Sequence, residues 1–184
     1  MEGWRIDLIK IERRKLHSLN SSIMQITSWK QRMMDTVCHD DEIAKMLKYP
    51  TSDALSRDAL TEDEKLALVK DKIHGVTYVP KTVEDQGSYI TMGISGFIPQ
   101  ESWRQFSQRY VMGYLYFNIL VDRSIMEMDE GYRQDLLLQR IYDLFQDSDF
   151  YGMGKIQEGN LVENWQQDNR FGGYTIMFRV IDYK

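Results

Sequence analysis

The chain has 184 residues, 42% of them hydrophobic, 28% charged and 12% aromatic, and a formal net charge of −5. That length suits one compact domain, or one domain with an attached arm, and the composition is rich enough to bury a core. It excludes wholesale disorder, a collagenous chain and a protein that coats nucleic acid through bulk positive charge.

In chain order, residues 21–36 read as a helix carrying Ile23, Ile26, Met33 and Met34 with few breakers. Asp40 and Asp41 then suit an N-cap, and Ile43, Met46 and Leu47 follow at i, i+3, i+4, predicting a short helix to about Tyr49 that Pro50 stops. After a turn region, Thr51 to Leu60, the spacing of Thr61 and Glu64 is that of a capping box, with a stripe of Leu66, Val69 and Ile73 behind it and His74-Gly75 as the stop.

The second half reads as sheet. Val76 to Val79 is a short strand ended by Pro80, and Ser88 to Ser95 alternates, with Ile90, Met92 and Ile94 on one face. A loop, Gly96 to Gln108, precedes the clearest strand, Arg109 to Val121. That strand carries Val111, Leu115, Phe117, Ile119 and Val121 on one face and Tyr110, Met112, Tyr114, Tyr116 and Asn118 on the other. Asp129 to Gln146 predicts an amphipathic helix with Leu137, Ile141, Leu144 and Phe145 in its core stripe. Gly152 and Gly154 break it. A weaker strand, Lys155 to Glu163, is split at Gly159-Asn160. Gly172-Gly173 punctuates, and Tyr174, Ile176, Phe178 and Val180 define a closing strand. Helices followed by β-β-α-β-β predict an α+β fold: a mostly antiparallel sheet with one amphipathic helix packed on a face.

Charge is uneven. Residues 1–37 hold seven basic and four acidic side chains, a net of +3, whereas residues 121–170 hold five basic and eleven acidic ones, a net of −6. Segment 1–37 is therefore expected to be a helical arm or extension on a single domain, 38–184. No apolar run approaches a membrane span, and Met1 to Lys15 lacks the apolar stretch of a leader. The single cysteine, Cys38, permits neither an internal disulfide nor a cysteine-based zinc cluster, which suits a reducing compartment.

Motifs that carry chemistry are sparse. The three histidines, His17, His39 and His74, are not at metal-ligand spacing, and Cys38-His39 beside Asp40-Asp41 reads better as a capped helix start than as a fragment of a metal site. Gly152-Met153-Gly154-Lys155 lacks the remainder of a phosphate loop and follows a helix instead of opening one. Asp122, Glu127, Asp129 and Glu130 have oxygens fit for a hard cation but no calcium-loop spacing, and acidic residues before a helix already favour its dipole. No catalytic residue, metal ligand or cofactor is expected.

Aromatics are more informative. Tyr114 and Tyr116 share the polar-leaning face of the long strand, and the loop before it carries Phe97, Trp103, Arg104 and Phe106. Either the N-terminal helices cover these groups or a neighbouring copy does, since Tyr, Trp, Met and Arg are favoured at interfaces.

The run YLYFNILVDRS, the helix GYRQDLLLQRIYDLF and the closing GGYTIMFRVIDYK resemble the tail-terminator and head–tail completion proteins of tailed bacteriophages. The upstream DDEIAKMLKYPTSDALSRDALT and TYVPKTVEDQGSYITMGIS look like the front half of similar neck proteins, so the likeness covers roughly residues 38–184. The resemblance implies a non-enzymatic virion protein, assembled in the host cytoplasm. It implies a homo-oligomeric ring, commonly of six copies, that ends the tail tube and meets the head connector, with DNA passing through its lumen without specific binding. On the aromatic reading above, and not by carry-over from that family, its interface is expected to include Phe97, Trp103, Arg104, Phe106, Tyr114 and Tyr116. A neck adaptor ring is the alternative within that class, a cytoplasmic metal-dependent enzyme the alternative outside it, and a regulatory binding module a third.

Overall fold

The computed structural model describes residues 25–76, 86–99, 110–165 and 170–183. Helix α1 (Ile26–His39) runs past the predicted end and leads at once into α2 (Asp41–Lys48). Asp40 makes that junction: its carboxylate accepts the Ile43 N–H at 2.9 Å, supplying one of the partners that a helix start lacks. The capping box of α3 (Glu62–Leu68) forms as its spacing predicts, with Thr61 Oγ1 accepting from the Glu64 N–H and Glu64 Oε2 from the Thr61 N–H. The stripe behind it is different. Leu66 is exposed, Lys65 and Leu68 are buried, and the helix stops at Leu68, well before His74-Gly75. Lys70 takes the left-handed conformation (φ 75°) expected of Gly75, and Ile73–His74 becomes strand β1.

The main sheet has five strands in the order β1-β2-β3-β7-β6. Strand β1 runs parallel to β2 (Ser88–Pro99); the pairs of β2 with β3 (Tyr110–Asp122), β3 with β7 (Phe171–Tyr183) and β7 with β6 (Lys155–Trp165) are antiparallel. The fold is α+β with a mixed sheet. Of the predicted strand Val76 to Val79, residues 77–79 lie outside the described residues, and Val76 follows β1, exposed. The predicted loop at Gly96 begins as a bulge, after which β2 continues to Pro99. Gly172-Gly173 lies within β7, where Gly173 adopts φ 149° and a Cβ would stand 2.0 Å from the Ile119 carbonyl oxygen. Glycine is needed there for close approach of β3, not as punctuation. A small hairpin, β4 (Glu127–Met128) with β5 (Gly131–Tyr132), takes the first turn of the predicted helix, so α4 spans Arg133–Phe145.

One face of the sheet and the four helices share the core. Ile90, Met92, Leu115, Phe117, Ile119, Val121, Ile176, Phe178 and Val180 meet Leu137, Ile141 and Phe145 of α4, with the Phe117 and Phe145 ring centroids 4.5 Å apart. Trp29, Met33 and Val37 of α1 are buried in the same cluster. The expected division at residue 37 therefore falls inside the core: α1 belongs to the domain, and only residues 1–24, outside the described residues, are left for an arm.

Candidate assembly surface

Alternation along β2, β3 and β7 sends a second set of side chains to the opposite, outer face. There Gly93 pairs with Tyr116 across the ladder, and the phenol ring lies over the glycine, so that a Cβ on residue 93 would stand 2.1 Å from its hydroxyl oxygen. Tyr114 lies similarly beside Gly96. Next along the face, side chains bond across four strands. Asn118 Nδ2 donates to Thr91 Oγ1 at 3.0 Å, Thr175 Oγ1 donates to Asn118 Oδ1 at 2.6 Å, and Asn164 Nδ2 donates to Thr175 Oγ1. Beyond them Tyr89, Leu120 and Phe171 form a small cluster, with the Lys72 ammonium 4.6 Å from the Tyr89 ring centre and Arg170 over Phe171.

The buried apolar residues of the described helices join the inner core, whereas this outer cluster consists of strand residues. The outer face thus closes itself at one end and presents half-buried Tyr116 and exposed Tyr114 at the other. Of the six predicted interface residues the structure brings these two together. Phe97 lies in β2 at the bulge itself; Trp103, Arg104 and Phe106 lie outside the described residues.

The places where the sequence offered chemistry have other roles. Cys38 Sγ is 3.3 Å from His39 Nδ1, whose Nε2 is 3.1 Å from Glu62, an order of groups that elsewhere activates a nucleophile. Here Nδ1 is also 2.6 Å from the Asp35 carbonyl, so it must donate its proton there and has no lone pair for the thiol. The thiol is buried, and burial, with Asp35 nearby, pushes its pKa up to about 11.

Asp122 is buried and accepts from the Ser124 N–H and hydroxyl and from Arg170 Nε at 3.0 Å. Burial alone raises its pKa, but those bonds outweigh it and leave the carboxyl below its ordinary value. Glu127, Asp129 and Glu130 sit exposed on the hairpin, and among the described residues no three His, Cys, Asp or Glu side chains are placed to hold a metal ion. Gly152 (φ 75°) and Gly154 (φ 88°) shape the turn between α4 and β6.

Two residues escaped sequence reasoning. Arg133 is fully buried. Its Nε donates to the Ile125 carbonyl, Nη1 to those of Met46 and Tyr49, and Nη2 to that of Thr51, at 2.7–2.9 Å. The signal was Pro50: a proline four residues after Met46 has no N–H to give its carbonyl, so the end of α2 needs a donor from elsewhere. Phe150, flanked by Asp147 and Asp149, is 77% exposed. Its signal was an aromatic residue set among acidic ones before two glycines.

Residues 40–180 match the model of the YomW family, a phage-derived family. No curated protein and no solved structure matches the chain. With three quarters of its length under that model, from the cap of α2 nearly to the end of β7, the chain belongs to the YomW family.

Proposed function

We propose that this phage protein is a structural component of the virion: a homo-oligomeric ring, with six copies the expected number, that terminates the tail tube and joins it to the head connector, its lumen passing DNA without specific contacts. The observation that carries the reading is the outer sheet face. Two tyrosines lie against glycines on a sheet face whose described apolar cluster consists of strand residues, and aromatic groups of that kind suit an assembly contact. The phage origin of the family and the match between this fold and that implied by the head–tail resemblance support the same reading. Phe97, Trp103, Arg104 and Phe106 belong to the proposed contact with Tyr114 and Tyr116. The role requires no catalytic group and no cofactor.

Negative-stain imaging of the purified chain, with its mass measured in solution, tests the proposal. Closed rings that bind the matching tail tube protein are expected. A monomer at every concentration reached, or cation-dependent turnover of a nucleic acid, overturns it.

A further inference from the structure

Two surface features outside the tyrosine face are complementary. The first is the loop after α4. Its base is pinned by backbone bonds from Asp147 N–H to the Ile156 carbonyl, from Ile156 N–H to that of Ser148, and from Ser148 N–H to that of Phe145. On that base Phe150 projects, 77% exposed, its ring edge-on to buried Tyr151; exposed Asp149 precedes it, while Asp147 is paired with Lys155 at 2.8 Å. The result is a preformed aromatic knob with one acidic shoulder, Asp149. The second is a groove of about 430 Å³ between α1 and the β1 edge. Ile26, Met34 and Val76 give it apolar walls, and Lys30 and Lys70 give it basic ones. The Lys30 ammonium donates to the Gly75 carbonyl at 2.6 Å, and among the described residues no carboxylate pairs with it.

Knob and groove also lie on opposite flanks of one helix. The groove takes Ile26, Thr27, Lys30 and Met34 of α1, while the loop is met by Arg32, whose Nη1 donates to the Tyr151 carbonyl at 3.4 Å. Two residues along a helix are about 200° around it, so Arg32 points away from Lys30, with Trp29, Met33 and Val37 directed to the core between them. The Phe150 knob of one copy therefore does not enter its own groove. Different patches on opposite sides of a subunit make a head-to-tail contact, which propagates and closes into a ring when the rotation allows.

We infer that copies of this chain dock by inserting Phe150 of one into the Ile26–Met34–Val76 groove of the next, with Asp149 set against Lys30 and Lys70. The inference rests on the ring proposed above and names its lateral anchor, to which the tyrosine face adds area. An apolar ring seated in an apolar groove supplies affinity, and the charges fix orientation.

Phe150→Ser removes the knob, and Val76→Asp places a negative charge where the acidic shoulder arrives. Both positions are exposed, so the fold is kept. At a concentration just sufficient for wild-type assembly, sedimentation velocity should show each variant alone as a monomer, with association weakened roughly thirtyfold or more, the scale of an aromatic hot spot. Mixed, they should form one-to-one dimers and nothing larger, because the knob of the Val76→Asp chain still fits the groove of the Phe150→Ser chain. The pair Asp149→Lys and Lys70→Asp should each weaken assembly singly and restore it when combined in one chain. Rings from Phe150→Ser alone, or a mixture that stays monomeric, overturn the inference while wild-type rings leave the proposed function standing. A wild-type chain that never assembles removes both.

Discussion

At the scale of single residues, Arg133 is the largest commitment in the molecule. A guanidinium with no carboxylate beside it among the described residues is kept charged by four backbone carbonyls, two of which, from Met46 and Tyr49, belong to the C-terminal end of α2, where the helix dipole favours a cation. Burial lowers its pKa but leaves it a cation. Arg133→Met strands those carbonyls without donors and is expected to destabilise the fold by about 3–5 kcal/mol, read from the denaturant midpoint. Arg133→Lys should recover only part of this, since an ammonium cannot reach carbonyls spread across Nε, Nη1 and Nη2. Equal stability of the Met variant and the wild type would show the carbonyls satisfied by other means. Asp122 makes a pH-dependent contribution of opposite origin. Its folded pKa lies below the unfolded one, so its stabilisation is complete above the ordinary carboxylate range and is lost as pH falls below about 4. Asp122→Asn should flatten the acid limb of the stability curve in that window, and an unchanged limb would assign acid sensitivity to other carboxylates.

At the scale of elements, helix α4 shows what periodicity can and cannot tell. Leu137, Ile141 and Phe145 are fully buried against β3 and β7 as the stripe predicts, while Leu144 is only half-buried because it sits one step around the helix from the contact. Ile141→Ala should cost about 2–5 kcal/mol, and an unmoved unfolding midpoint would deny the packing. The caps at Asp40 and Thr61 were equally legible, because a cap is a local bond between residues three apart. The errors share a different cause. Whether Lys70 or Gly75 turns the chain after α3, whether Gly173 ends a strand or lets one pass close to Ile119, and whether residues 129–132 open a helix or join a hairpin all depend on neighbours distant in sequence. The candidate site was legible in the same uneven way. The outward set of Tyr114 and Tyr116 follows from a two-residue period, but their seating on Gly93 and Gly96 depends on strand register, which no local pattern encodes.

At the scale of the whole molecule, the question is where the domain begins. A basic balance over residues 1–37 marked that segment as separate, yet charge is a surface property and does not report what lies on the buried side of a helix. Trp29, Met33 and Val37 recur at i, i+4, i+8 and place a fully buried stripe of α1 in the shared core. Deleting residues 1–37 removes that stripe, and the loss of one large aromatic and two aliphatic side chains from a core exceeds what a domain of net stability about 5–15 kcal/mol can absorb. The deletion is expected to yield an unfolded chain by circular dichroism. Deleting residues 1–24 keeps every described core residue in place and is expected to fold. Its remaining effect should appear in assembly: the removed segment holds five basic and three acidic side chains, a net of +2, available to an acidic neighbour. Wild-type assembly should then weaken as salt rises through the range where the Debye length falls below about 10 Å, and the shorter chain should assemble less well at low salt with a flatter salt dependence. Identical salt curves for the two chains would show that the segment takes no part in docking, and a folded 38–184 fragment would return α1 to the status of an arm.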